Sequence, residues 1–212
     1  RRETILASIA EQGKLTPELK ARIEATLEKS ELEDLYLPYK PKRRTKATIA
    51  REKGLDPLAQ YLWAQQPGEL PLAELAATFV NAEKGVNTVD EALEGARHIV
   101  AEMVSESADL RKALRQMMFD EGVVVSRKVM DAVDEQEKFK MYYDYREPVS
   151  KIPSHRMLAI RRGESENVLY FTIELESVRA LDLVRRFVLK DPGDWTPQLE
   201  TACDDSYNRL LN

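Results

Sequence analysis

The chain has 212 residues, of which 43% are hydrophobic and 33% charged, with eight glycines and ten prolines. That much charge demands a generous surface, as in elongated helical proteins, and with only 7% aromatic residues it argues against a sandwich or barrel that turns roughly every ten residues. Lys and Arg total 32 against 37 Asp and Glu, a formal charge of −5, so a wholly basic nucleic-acid coat is excluded and any polyanion contact has to be local.

Cys203 is the only cysteine, which excludes an intramolecular disulfide framework and a cysteine-based zinc site, and it fits a reducing, cytoplasmic setting. No apolar stretch approaches the ~18 residues of a membrane span. The opening residues Arg1-Arg2-Glu3-Thr4 carry no signal-type apolar core and no initiator Met, so a piece of a longer protein is expected.

Helical patterns dominate to about Tyr143. Ile5 and Ile9 begin a short apolar stripe. Thr16-Pro17-Glu18 has the order of N-cap, first helical position and acidic first turn, and Leu19, Ile23 and Leu27 follow at fourfold spacing. Ser30-x-x-Glu33 has the form of a capping box, and Pro38 and Pro41 end that helix and stiffen residues 36–44. Thr45 is placed to cap a helix through Lys53, Gly54 to turn it left-handed, and Asp56-Pro57 to start another through about Gln66. Short helix, glycine turn, short helix has the spacing of a helix-turn-helix.

The longest regular stretch starts at Thr88, capped with Glu91, and places Val89, Leu93, Ala96, Val100 and Met103 on one line through Ser105. Ser107 caps the next helix, with Leu110, Ala113, Leu114, Met117 and Met118 on one face and Gly122 at its end; an antiparallel pair is expected. Val123-Val124-Val125 interrupts with a β-branched run, before a return to helix over 137–145. Pro148 and Pro153 flank a linker. Beyond it, residues 157–161 and 168–174 are expected as two strands around the loop 163–167. Residues 178–190 are amphipathic, with Leu181, Val184 and Val188 inward, and Thr196-Pro197 opens the last helix. The expected fold is therefore mainly α: a helical N-terminal bundle with a helix-turn-helix-like corner (1–70), a central helical region (71–147), and a small β-hairpin with C-terminal helices (148–212).

The strongest functional candidate is the run Lys40, Lys42, Arg43, Arg44, Lys46, Arg51 and Lys53, broken by one acid, Glu52. Close-set guanidinium and ammonium groups beside a helix N-terminus suit phosphate. Tyr36 and Tyr39 flank the run, to stack on a base or to anchor the loop. The opposing possibility is a solvated run, or one paired with an acidic helix. A second cluster comprises Lys151, His155, Arg156, Arg161 and Arg162, with strand alternation splitting Arg161 from Arg162. Glu94, His98 and Glu102 share a water-facing helix edge, where ion pairing is a commoner outcome than a metal site. Cys203 has no neighbouring His and is more simply a core residue. No P-loop, GxGxxG or GxSxG occurs, and no cofactor is expected.

The segment Leu32-Glu33-Asp34-Leu35-Tyr36-Leu37-Pro38-Tyr39-Lys40-Pro41-Lys42-Arg43-Arg44-Thr45-Lys46-Ala47, followed by Leu55-Asp56-Pro57-Leu58-Ala59, resembles the Tex family of bacterial transcription accessory proteins. So do Tyr142-Tyr143-Asp144-Tyr145 and Lys151-Ile152-Pro153-Ser154-His155-Arg156 with Arg162-Gly163-Glu164, in family order. The resemblance implies an N-terminal piece of a multidomain protein, with a helical region containing a helix-turn-helix-like part. An RNase-H-like domain, helix-hairpin-helix elements and a C-terminal OB-fold RNA-binding domain would follow it. A eukaryotic transcription elongation factor that also handles histones is a distant relative. None of the later modules has a pattern in these residues, so the family's RNA affinity does not carry over to this chain by resemblance.

The function expected from residues and resemblance together is a non-catalytic scaffold that meets phosphates without reading sequence. Lys40, Lys42, Arg43, Arg44, Lys46, Arg51, Lys151, Arg156 and Arg162 are its candidate contacts. RNA or DNA, the transcription machinery and the chain's own further domains are its candidate partners. The alternatives are an interaction module without nucleic-acid binding and, less favoured, part of an RNase-H-like nuclease.

Overall fold

The structure, a computed structural model, describes residues 1–211 and is mainly α. Its elements group into two compact units: Arg1–Lys112 together with the chain from Leu181 onward, and Ala113–Ala180. This grouping differs from three consecutive segments, because the C-terminal helices return to the first unit.

In the first unit, α1 (Arg2–Glu11), α2 (Pro17–Ala25) and α3 (Lys29–Tyr36) bury Ile5, Ile9, Ile23, Leu32 and Leu35 against one another. The Thr16 hydroxyl accepts the Leu19 N–H and Pro17 occupies the first turn, as the sequence predicts. Leu27, expected on the same stripe, lies beyond the end of α2 and is 90% exposed. Nor does Ser30 cap α3, which starts a residue earlier at Lys29 with no side-chain cap.

Two short helices and a glycine turn form close to where the sequence places them. Thr45 accepts the Thr48 N–H to cap α4 (Lys46–Glu52), and Gly54 turns at φ +84°, where an L side chain would be strained. Asp56-Pro57 then opens α5 (Asp56–Ala64). After α6 (Leu72–Ala77) comes α7 (Val89–Ser105), on which α4, α5, α6 and α11 (Thr196–Asp205) all pack. Thr88 caps α7 by accepting the Glu91 N–H, while the Glu91 carboxylate takes the Asn87 N–H rather than that of Thr88. Ala92, Leu93, Ala96, Ile99, Val100, Ala101 and Val104 are all buried. A helix apolar on most sides is a core helix, so a single-stripe reading understates how enclosed α7 is.

The next helix, α8 (Ala108–Glu121), follows Ser107, which accepts the Leu110 N–H. The expected antiparallel pairing with α7 is not its arrangement: α7 packs chiefly on α4, α5 and α11, and α8 buries only Leu110 completely. The division between the units falls within α8.

The second unit corrects the β prediction. Its sheet has three antiparallel strands in the order β2-β1-β3, with β1 (Val123–Lys128) central between β2 (Asp144–Pro148) and β3 (Leu169–Glu174). Val124 faces Glu147 and Ile173 in register. Residues 157–161 are not a strand: they lie in α9 (Ser154–Ser165), where Ile160 and Gly163, three apart, are the buried positions. Residues 137–145 form no long helix; a single 3-10 turn, Lys140–Tyr142, leads into β2. Pro148 is tolerated because it ends an edge strand. Val124, Phe139, Tyr142, Ile160, Val168 and Leu169 make the core of this unit. The last long helix, α10 (Ser177–Val188), leads back into the first unit with Val184 and Val188 buried as expected.

Candidate functional site

Between α3 and α4 the chain runs from Pro38 to Thr45 as a strap without regular helix after its first turn. The strap carries the basic run, and the structure divides that run into inward and outward members. Inward, Lys42 Nζ reaches Glu102 Oε1 at 3.1 Å and also contacts Glu106. Arg51, on α4, donates from Nη1 to the same Glu102 oxygen at 2.6 Å and from Nε to Asp56 at 3.3 Å. The Thr45 hydroxyl completes the set at 3.1 Å from Glu102 Oε2.

Glu102 is buried among the apolar residues of α7, with 6% of its surface exposed. Burial pushes its carboxyl up, but the hydrogen bonds from Arg51 and Lys42 outweigh that and hold it below the usual range. Glu106, one turn on, goes the other way: burial pushes its carboxyl up more than Lys42 lowers it. One ammonium thus bridges two carboxylates of opposite tendency.

At the start of the strap, Lys40 sits 2.8 Å from Glu33 and over the Tyr36 ring at 5.7 Å. Hydrogen bonds from Arg1 and Lys40 push the Glu33 carboxyl down to about 2. A cleft of about 700 Å³ lies here, with Lys14, Lys40, Lys42 and Arg51 on its wall together with Glu11 and Glu106. Three of those four cations already hold carboxylates, so the cleft is not the positive groove that the run implies in sequence.

The outward members are Arg43, Arg44 and Lys46, all exposed. Arg43 makes no ion pair or hydrogen bond among the described residues. Arg44 is 70% exposed and holds only the comparably open Glu52, at 2.9 Å, a contact worth little in water. Lys46 makes no ion pair among the described residues and lines a small cleft with Lys53, Glu94 and His98.

His98 does not face water, as its helix edge implied. Its side chain is 18% exposed, and burial, helped by Lys46, pushes the imidazole below its ordinary value. Glu94 stands 4.0 Å away in an i,i+4 pair, while Glu102 turns away to the strap, so of the three only Glu94 and His98 pair with each other. Among the described residues no group of three or more His, Cys, Asp and Glu is placed to hold a metal ion. Cys203 is buried, and burial pushes its thiol up to about 12, far from a reactive thiolate.

The second basic cluster belongs to the other unit. Arg156 Nη1 donates to Glu147 at 3.1 Å and to the Tyr145 hydroxyl at 3.2 Å. On a helix rather than a strand, Arg161 and Arg162 lie about 100° apart, not opposed. They pair forward, with Glu164 and Glu166, each at 2.8 Å. Lys151 is exposed and makes no ion pair among the described residues.

The acids Glu33, Glu102 and Glu106, which hold the inward cations, do not stand out in the sequence as partners of the run. Glu102 stands in the apolar run 99–104 of α7, which is the available signal for a buried carboxylate awaiting a cation, and Glu106 follows one turn on at the end of the helix.

Comparison with known proteins matches residues 67–190 to the model described as Tex central region-like. The chain belongs to the Tex family. This Tex-family chain is 41% identical to YdcI of Bacillus subtilis strain 168 over 213 aligned residues, covering 100% of the chain and 30% of YdcI. It is 48% identical to YhgF of Escherichia coli strain K12, covering 83% of the chain and 22% of that protein. To the transcriptional accessory protein Tex of Neisseria gonorrhoeae it is 43% identical, with 92% and 26% covered. It therefore spans less than a third of the length of each of these relatives. No helix among the described residues is long and apolar enough to cross a membrane.

Proposed function

We propose that this chain is a non-catalytic scaffold within a longer Tex-family protein, contacting nucleic acid weakly, without reading sequence, through Arg43, Arg44 and Lys46 alone. The observation that carries this reading is the split of the basic run by Glu102. A buried carboxylate that takes Lys42 and Arg51 leaves the first to fasten the strap and the second to fasten α4 to α7. The Arg43 and Arg44 guanidiniums keep the fork geometry that suits phosphate oxygens, Lys46 adds a point charge, and none of the three has a buried group to satisfy. The scaffold half of the reading rests on the same hub, because the ionisable groups the fold brings together satisfy one another. A transcription-linked role follows the name of the Neisseria relative, and a cytoplasmic setting is proposed with it.

Salt titration of binding to single- and double-stranded nucleic acid tests this. Substituting Arg43, Arg44 and Lys46 by Gln should reduce the slope of log affinity against log salt by roughly one unit for each phosphate no longer met by a cation. Lys42→Met should lower stability and leave that slope unchanged. An unchanged slope in the triple variant would refute the contact.

The neutralisation of Lys40, Lys42 and Arg51 also favours a second reading, an interaction module that docks on the chain's own further domains. In that case the triple variant of the full-length protein loses interdomain protection in hydrogen exchange, and this chain alone binds no nucleic acid.

A further inference from the structure

A second cleft in the first unit, which shares no residue with the strap cleft, has the opposite character. It lies where the loop after α5 meets the loop before α11, and encloses about 750 Å³. Tyr61 and Trp195 form its floor, edge to face with ring centroids 6.5 Å apart. Pro67, Leu70, Pro71 and Pro192 make the walls, and Leu70 is 44% exposed. The rim carries Glu69, Asp191 and Asp194, and no lysine or arginine lines the cleft among the described residues.

The cleft is held open by bonds that leave most of those carboxylates unused. The buried Gln65 clamps the far loop, donating to Val188 O at 2.7 Å and accepting the Lys190 N–H at 2.9 Å. Trp195 Nε1 donates to the Asp191 carbonyl at 3.1 Å, and the Tyr61 hydroxyl accepts the Gly68 N–H at 3.3 Å. Asp194 accepts the Leu72 N–H at 2.7 Å, so it is partly engaged. The Glu69 and Asp191 carboxylates make no hydrogen bond or ion pair among the described residues. Two carboxylates with no partner among the described residues thus stand beside an aromatic and proline surface.

We propose that this cleft docks an extended, lysine- or arginine-bearing segment of a partner protein. Charge complementarity selects the occupant. The aliphatic stem of a long cationic side chain covers apolar and aromatic surface while its head stays at a carboxylate rim. Proline walls present a rigid, low-entropy surface to an extended chain, which keeps the ordering cost of docking small. A nucleic acid is repelled by the same rim, so this site is separate from the phosphate contact proposed above and does not depend on it.

The test uses a short synthetic peptide alternating Arg with Pro, its Glu-for-Arg counterpart, and a neutral Pro-rich peptide of equal length. Trp63→Phe leaves Trp195 as the sole tryptophan, so its fluorescence reports occupancy of the floor. The basic peptide should bind and perturb that fluorescence, and the other two should not. The double variant Glu69→Gln/Asp191→Asn removes charge without removing a hydrogen bond of the fold, so it should keep the parent melting temperature and bind the basic peptide roughly fivefold to tenfold more weakly. Asp194 is left intact because it holds Leu72. Undiminished binding in the double variant, or equal binding of the neutral peptide, overturns the proposal. Spermidine binding as tightly as the peptide overturns the polypeptide assignment.

Discussion

Glu102→Gln is the sharpest probe of the strap. The substitution keeps shape and removes the charge from a side chain that accepts from Lys42 at 3.1 Å, Arg51 at 2.6 Å and Thr45 at 3.1 Å. A glutamine offers only one acceptor oxygen, so its NH₂ faces either the Arg51 guanidinium, a donor meeting a donor, or the Thr45 hydroxyl, which must then give up its own donation in order to accept. Hydrogen bonds to charged groups contribute about 1.5–3 kcal/mol each. The loss is partly offset, because Arg51 retains Asp56 at 3.3 Å and Lys42 retains Glu106. One broken charge-assisted bond and one misplaced donor come to about 3 kcal/mol, the low end of the range for stranding a fully buried charge. For a chain of this size each kcal/mol moves the melting temperature by about 2–4 °C, so a fall of about 6–12 °C is expected. Thermal and urea denaturation followed by circular dichroism at neutral pH measure it, and because the hub is buried the loss should persist in high salt. A double-mutant cycle should show stronger coupling of Glu102 to Arg51 than to Lys42. A loss under about 1 kcal/mol would mean that the strap is held by its prolines and tyrosines instead, and the division into inward and outward cations would lose its cause.

Two further outcomes follow from the same geometry. Carboxyl titration by NMR should find Glu102 below and Glu106 above the ordinary value near about 4.3. Glu102 therefore contributes stability that is lost as pH falls through its lowered pKa, whereas the stability linked to Glu106 is present in acid and lost as pH rises through its raised pKa. Lys42→Met should move both carboxyls upward, and the reverse order of the two would contradict the Arg51 hydrogen bond that separates them. In the second unit, a Cβ at Gly163 would stand 2.5 Å from Leu169 Cδ1 and 3.1 Å from Phe139 Cδ1. Gly163→Ala should cost about 1–3 kcal/mol by overpacking, with amide protection falling in β1 and β3 and retained in α7.

Local chemistry is legible in the sequence where it acts alone. Thr16-Pro17, Thr45 and Thr88 cap helices because a hydroxyl needs only the N–H three residues on. Gly54 turns because nothing else adopts its φ cheaply. The β region is harder to read. Met157-Leu158-Ala159-Ile160 is a short apolar run that fits a strand or a helix equally, and Pro153, which immediately precedes the first residue of α9, is the arbiter. Asp144–Pro148 carries two signals against a strand, Pro148 itself and a lack of β-branched residues, yet it pairs because edge pairing to the Val123–Lys128 strand satisfies its backbone. The apolar stripe of α8 marks a helix correctly, but periodicity does not say which element covers a face.

The candidate site is legible as a composition and not as a surface. A run of cations looks the same in sequence whether its partners are phosphates or carboxylates, because the deciding acids lie far off along the chain: Glu102 is 60 residues from Lys42. What separates the two cases is the cost of burying a carboxylate alone. Once α4, α5 and α11 enclose α7, Glu102 must recruit charge, and the nearest flexible charge is the strap. In extended chain successive side chains alternate, so drawing Lys42 inward turns Arg43 outward. The outward turn of Arg43 is thus a consequence of the inward hub. Weakening Glu102 should therefore loosen the direction of Arg43, although the two residues share no hydrogen bond or ion pair, while the salt slope of the proposed phosphate contact stays as it is.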